Sequence, residues 1–338
     1  MRTLVLSLLL LAPAGKVSVV LSGGLQEPFG VDFDREGRMY VVELAGNRVQ
    51  RLEKDGKLTP VAGTGRKGAA GDGGPALQAE LNGPHHLLIG PDGAVWIADT
   101  WNWCVRRVDL KTGTISRPAG TGEKGYAGDG GPAAQAKCGG IYSIAFDARG
   151  ENLYLADLDN RRIRAVNLKS GLMSTVAGNG EKGVPKDGAD ARTQPLVDPR
   201  AVAADSKGNV YVLERGGHAL RVVDPAGRIR TVAGTGKAGL AGDGGPGLQA
   251  QFSGPKHLAV DADDSVLIAD AETNTVRRWS PKDGRVTRVA GTGKKGAGPA
   301  GSDPEQCDLH RPHGVQPGPD GAIYVTDSYN HRILRLEK

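Results

Sequence analysis

One phrase recurs along the whole chain: a proline, two variable residues, an apolar run, a Gly turn, a second run closed by an acid, then Asn and Arg. Its first position falls at Pro28, Pro84, Ile141, Pro199, Pro255 and Pro312, at intervals of 56, 57, 58, 56 and 57 residues. Three residues before each marker stands an apolar or small side chain of the kind found in cores: Leu25, Leu81, Cys138, Leu196, Phe252 and Leu309. The acid that closes the second run also returns each time, as Glu43, Asp99, Asp157, Glu214, Asp270 and Asp327. A fixed period of this length means stacked copies of one supersecondary unit, which overrides the two-domain reading that 338 residues would invite.

Each unit reads as four short strands. In the second, His85–Ile89 is strand a, Pro91-Asp92-Gly93 a turn, Val95–Ala98 strand b, Cys104–Val108 strand c and Ile115–Ala119 strand d. The 52 glycines and an apolar content of 38 % suit many short strands joined by turns. Four antiparallel strands repeated about an axis make propeller blades, so the expected fold is an all-β, six-bladed propeller. The sixth unit reaches Lys338 after its strand c. Lys16–Gly24 aligns with strand d of other units (Arg228–Gly236 and Arg285–Gly293), so this N-terminal segment is expected to complete the last blade and remove the exposed edges.

The segments PHHLLIGPDGAVWIADTWNWCVRRV and PHGVQPGPDGAIYVTDSYNHRILRL resemble NHL repeats, and the resemblance covers essentially everything after residue 15. It implies the propeller fold and is nearly silent on activity, because NHL propellers include enzymes, RNA binders and protein-interaction modules.

In such a blade the d–a and b–c loops emerge on one face, around the mouth of the central channel. Three groups of residues converge there. The repeated acids are each followed by an Arg on strand c (Arg51, Arg106, Arg164, Arg221, Arg277 and, shifted by one, Arg335), a pattern that reads as scaffold. GDGGP occurs at Gly71–Pro75, Gly128–Pro132 and Gly242–Pro246. It could wrap Ca²⁺ or an anion with backbone groups, or form a turn whose Pro opens a short helix, delivering Leu81 or Phe252 to the gap between blades. The structural reading is favoured.

The two residues after each marker repeat least, and so inform most: Phe29-Gly30, His85-His86, Tyr142-Ser143, Arg200-Ala201, Lys256-His257 and His313-Gly314. They hold four of the seven histidines. His85, Tyr142, Arg200 and Lys256, with Trp101 and Trp103 of the adjacent b–c loop, are the candidate ligand-binding residues. His86, His257 and His313 are the candidate metal ligands, since imidazoles converging on an axis suit Zn²⁺ and could serve acid–base chemistry. The NHL-type peptide-amidating lyases imply a three-histidine zinc site at strand starts, which would fall on these three residues. Strand alternation argues that His313, one position earlier than the other two, points elsewhere. The six-bladed lactonases hold their metal through carboxylates and asparagines, and no Asp-Gly stands at any marker here.

The net charge of +5 is spread along the chain, which gives no nucleic-acid signature. Cys104, Cys138 and Cys307 have neither disulfide-framework nor metal-ligand spacing. Met1–Ala14 reads as a signal peptide with an apolar run and Ala12-Pro13-Ala14 as cleavage site, leaving one propeller from residue 15 to 338. The expected protein is thus a secreted or periplasmic monomer with no transmembrane segment. It would bind a protein or small-molecule ligand on the loop face, without nucleic acid. The alternative is a metal-dependent lyase or hydrolase at the channel mouth, with Zn or Ca as the possible metals.

Overall fold

The computed structural model describes residues 15–337. Six antiparallel sheets stand around a central axis, four with four strands and two with five. In blade 1 the strands are a, Pro28–Phe33; b, Met39–Glu43; c, Arg48–Leu52; and d, Leu58–Ala62. Strand a of the other blades begins at His86, Ile141, Pro199, His257 and Pro312. The ring closes as expected. Val17–Ser22 pairs antiparallel with Arg332–Leu336 and supplies strand d of blade 6, with Val17 opposite Leu336. The segment Met1–Ala14, expected from the sequence to be a signal peptide, lies outside the described residues.

The core lies between neighbouring blades, where the apolar faces of successive sheets meet. Leu81, Cys138, Leu196, Phe252 and Leu309 are wholly buried there, and Leu25 nearly so. The GDGGP loops deliver Leu81, Cys138 and Phe252. The proline of each loop precedes a single 3-10 turn, Ala76–Gln78, Ala133–Gln135 or Gly247–Gln249, and three residues later the apolar side chain enters its gap. The same loops run back along strand d of the blade that follows, adding a two-residue edge strand in blade 5 (Gly245–Pro246). Ala189–Asp190 does the same in blade 4 without the motif.

The repeated acids hold the scaffold, by one bond repeated in every blade. One carboxylate oxygen accepts the backbone N–H that follows the buried apolar residue: Gln26 to Glu43, Asn82 to Asp99, Gly139 to Asp157, Val197 to Glu214, Ser253 to Asp270 and His310 to Asp327. The acid thus ties the end of the d–a loop to the end of strand b. Burial pushes four of these acids up: Glu214, Asp99 and Asp157 (both to about 6) and Asp270 (to about 7).

The GDGGP aspartates are absorbed in the same framework. Asp72, Asp129 and Asp243 pair at 2.6–2.7 Å with Arg106, Arg164 and Arg277, which are among the largest fully buried side chains. The expected arginine series needs correction at both ends of the chain. In blades 1 and 6 the acid is met by Arg48 and Arg332, which stand directly opposite Glu43 and Asp327 in the b–c pairing. Arg51 and Arg335 lie three residues further along strand c and pair instead with Glu53 and Asp320.

Candidate binding site at the channel mouth

Every strand a opens with a bulge, so that both residues after the marker oppose a single stretch of strand b. The register shifts between Pro28 and Gly30, Ile141 and Ile144, Pro199 and Ala201, and Pro312 and Gly314. In blade 2, His85 N–H donates to the carbonyl of Ala98, the residue that His86 already faces. Lys256 does the same at Ala269, opposite His257. A bulge re-aims a side chain that simple alternation would send to the other face. Two layers of side chains result, one from the first positions and one from the second.

The second-position layer is closed by an imidazole pair. His86 Nε2 and His257 Nε2 lie 2.9 Å apart, both rings buried. Glycine makes room: a Cβ at Gly30 would lie 3.2 Å from the His86 ring, and one at Gly314 would lie 2.4 Å from the Phe29 carbonyl oxygen. Each Nδ1 faces a backbone N–H, of Ile144 at 3.2 Å for His86 and of Val315 at 3.5 Å for His257. If both Nδ1 atoms accepted, both Nε2 atoms would carry protons and repel. One proton between the rings resolves this. His86 keeps its shorter backbone bond and donates from Nε2, and His257 accepts, forgoing the longer contact. Burial holds both rings neutral, His86 well below the usual imidazole range and His257 at about 4.

His313 does not join them. Its ring packs 4.1 Å from Phe29 and 5.5 Å from Tyr329, in the first-position layer. Two of the three expected zinc ligands are therefore brought together and the third is not. Among the described residues no group of three or more His, Cys, Asp or Glu side chains is placed to hold a metal ion. The strand alternation that cast doubt on His313 reached the right answer, although the bulge, and not alternation, sets the two layers.

The first-position layer is a chain of contacts around the axis. Phe29 touches His85 (4.6 Å) and His313, His85 touches Tyr142 (4.6 Å), and the Arg200 guanidinium lies 3.8 Å over the Tyr142 ring. Lys256 completes it, 3.8 Å from Glu272. His85 Nδ1 lies 2.8 Å from the Gly83 carbonyl and 3.0 Å from Thr100 Oγ1, so Nδ1 carries the proton and Nε2 is the free base. Burial, then the Arg200 charge, holds His85 well below the usual range.

Blades 4 and 5 make the opposite half of the layer cationic. Arg200 is 5 % exposed, hydrogen-bonds Tyr142 and has no carboxylate partner among the described residues. Burial lowers it to about 10, and burial, then Arg200, lowers Lys256 to about 8. His313 is equally buried, and its Nδ1 has no hydrogen-bond partner. Around this floor stands an exposed rim of Trp101, Arg215, Glu272 and Tyr329, with Arg311 half-buried beside them. Arg311 and Asp198, each directly before a marker, hold left-handed backbone at φ 48° and 49°. Glu27, Gly83 and Gly254 hold the same conformation before their own markers, so it belongs to the repeat.

Of the two tryptophans singled out, Trp101 belongs to the site, its ring 5.6 Å from His85. Trp103 makes no ring contact there. It occupies the left-handed position ending the b–c turn, where Asn47, His218, Asn274 and His331 each accept the N–H before the next blade's marker. Sequence reading missed Phe29, Arg311, Glu272 and Tyr329 as members. Phe29 was visible as a first-position residue, while the other three come from rim positions that carry no repeat signal.

A groove of about 890 Å³ opens on the opposite face between the a–b turns of blades 1 to 3, from Phe33 to Gly150. Several of its charges are engaged within the protein, Arg38 with Asp34 and Arg107 with Asp92, while Arg35 donates to the Pro91 carbonyl. Its side chains are arranged around the a–b turns and not around a common point, as those of the mouth are.

Fold and site together define a six-bladed propeller whose channel is closed by a neutral histidine pair beneath a half-cationic, half-aromatic floor. The NHL repeat model matches residues 309–336, within the sixth blade. The chain is 29 % identical over 210 residues to human NHL repeat-containing protein 2, covering 54 % of this chain and 29 % of that protein. Among eight curated relatives the chain spans between 8 % and 40 % of their length. Solved structures of the same fold include an auxiliary nutrient binding protein from Bacteroides thetaiotaomicron (TM-score 0.68, 12 % identity, 93 % of this chain and 69 % of that one). A catalytically inactive virginiamycin B lyase from Staphylococcus aureus, with quinupristin, is another (TM-score 0.59, 15 % identity, 96 % of this chain and 99 % of that one).

Proposed function

We propose that this propeller is a ligand-binding module that captures a small molecule at the channel mouth. The observation that carries the reading is the first-position layer: these six positions differ from blade to blade on a repeated scaffold, and they bring together a buried Arg200 without a balancing carboxylate and a His313 Nδ1 without a hydrogen-bond partner among the described residues. A regular scaffold presenting variable loop-face residues is how binding sites are commonly built. Arg200 is buried with no carboxylate among the described residues to balance its charge, and His313 Nδ1 has no hydrogen-bond partner there. Such groups cost free energy in the unliganded state, and a ligand that satisfies them recovers it. The binding of nutrients by a propeller of like fold is in keeping with this.

The site is placed outside the cytoplasm in this reading, on the strength of the apolar Met1–Ala14 segment. No helix among the described residues is long and apolar enough to cross a membrane.

Histidine NMR tests the proposal. A ligand found by screening should shift the imidazole signals of His85 and His313 and leave His218, in its latch between blades, unmoved. Ligands that move none of the mouth histidines would remove the proposal. A second reading rests on His85, whose free Nε2 stands as a neutral base within reach of the mouth. It expects proton-abstraction chemistry on the captured ligand, lost in His85→Gln with binding retained. Turnover unchanged in that variant would exclude it.

A further inference from the structure

The proposed binding module leaves open what kind of molecule it takes, and the charges and rings at the mouth narrow the choice. We infer that the ligand is a small carboxylate carried on a planar, largely apolar body. The carboxylate would lie between Arg200 and Lys256, and the planar body against Phe29, His85, Tyr142 and His313. This inference rests on the mouth being a binding site.

The charge balance comes first. Arg200, Lys256, Arg215 and Arg311 gather on the side of blades 4 to 6, and the carboxylates beside them are Glu272 and Asp198. Glu272 is engaged by Arg311, with Lys256 only at 3.8 Å, and Asp198 stands 3.9 Å from Arg215. Two cationic charges are left over, and the buried histidines, held neutral, do not offset them. A cationic ligand would add to that excess in a desolvated place, where repulsion is least screened. An anion removes it.

Geometry then selects a carboxylate. The guanidinium carbon lies 3.8 Å over the Tyr142 ring, and beyond its bond to Tyr142 the group has no carboxylate among the described residues to take its remaining N–H donors. Those donors suit the paired oxygens of a carboxylate. Lys256, a compact charge on a flexible stem, can meet the second oxygen.

The rest of the floor argues for the planar body. Phe29, His85, Tyr142 and His313 offer ring edges and faces within 4.1–4.6 Å of one another, a surface that a flat molecule covers with little loss of conformational freedom. Exposed Trp101 and Tyr329 extend it at the rim on the two flanks. His313 Nδ1, without a partner, leaves one place for a hydrogen-bonding substituent.

Titration calorimetry with benzoate, phthalate, acetate, benzyl alcohol and benzylamine tests each part. Benzoate or phthalate should bind at least about tenfold more tightly than acetate, which lacks the ring, or benzyl alcohol, which lacks the charge; benzylamine should not bind. Losing a charge-assisted hydrogen bond is worth about tenfold or more, so Arg200→Gln and Lys256→Met should each weaken the aryl carboxylate by that factor. Lys256→Arg should restore most of the loss. Thermal unfolding of each variant separates lost binding from lost folding.

The pH profile supplies a second readout. Lys256 faces Arg200, Arg215, Arg311 and Glu272, with His313 nearby, and its own value is lowered to about 8. The ammonium is the binding form, so affinity should be level below that pH and fall as pH rises through about 8. The fall should vanish in Lys256→Met. Equal binding of benzylamine and benzoate, or affinity unchanged in Arg200→Gln, overturns the inference. In that case a different ligand that still shifts His85 and His313 leaves the binding-module reading standing; if none does, both fall.

Discussion

Ring closure by the N-terminal strand makes a quantitative demand on Val17. This residue begins the closing strand, opposite Leu336, and its side chain is 2 % exposed in the core between blades 5 and 6, among Leu267, Leu309, Val325 and Leu334. Its backbone is also fixed, accepting from Gly301 N–H and donating to the Ser302 carbonyl. Val17→Ala removes two buried carbons, at about 0.8 kcal/mol each, and leaves a small cavity, so a loss of about 2 kcal/mol is expected. For a domain of this size that corresponds to a fall in Tm of about 3 °C. Val19 is the internal control. It lies in the same strand but is 37 % exposed, so Val19→Ala should stay within about 0.5 kcal/mol of the parent. Deleting residues 1–14 should leave the strand intact, whereas deleting residues 1–24 removes it and should lower stability by more than Val17→Ala does. Scanning calorimetry of the four proteins decides the matter. Equal stability of the two truncations, or Val17→Ala no worse than Val19→Ala, would refute the closure argument.

Other outcomes follow from the same framework. Asp157→Ala takes away the acceptor for Gly139 N–H and Asn160 and strips a carboxylate from buried Arg164; a loss of about 3 kcal/mol in urea unfolding is expected, and less than 1 would deny the acids their scaffold role. Cys104, Cys138 and Cys307 are buried, and burial raises each thiol, Cys138 to about 12, so all three should resist alkylation until the protein is unfolded. Rapid labelling of the native protein would contradict that packing. If Ala12-Pro13-Ala14 is cleaved, the intact mass of protein from its native source should correspond to a chain starting at Gly15; retained Met1 would contradict export.

The fold was legible because its determinants repeat. Leu81 and its counterparts, Asp99 and its counterparts, and the aligned KVSVVLSGG segment each report the same local demand six times over, so one error cannot mislead. The site resisted reading for the opposite reason. Its residues differ in every blade, and their direction is set by a bulge that two variable positions do not announce. Alternation was the sensible rule for His85 and His313, yet the bulge turns both inward at a second depth. The meeting of His86 and His257 depended on equal positions in opposite blades and was open to inference. The Arg51 and Arg335 assignments failed because an arginine three places along a strand looks, in sequence, like one directly facing the acid. Trp103 looked like a partner of Trp101, but its backbone conformation assigns it to the turn. The rim residues Arg311, Glu272 and Tyr329 come from separate blades, and only the assembled ring brings them together.

A crystal structure of the protein with bound phthalate shows whether the channel mouth holds an aryl carboxylate through Arg200 and Lys256. Density is expected over the first-position layer, with one carboxylate within hydrogen-bonding distance of both Arg200 and Lys256 and the ring lying against Phe29, His85 and His313. Phthalate seated instead in the opposite groove between Phe33 and Gly150, or at the mouth with its carboxylates turned away from Arg200, would contradict it.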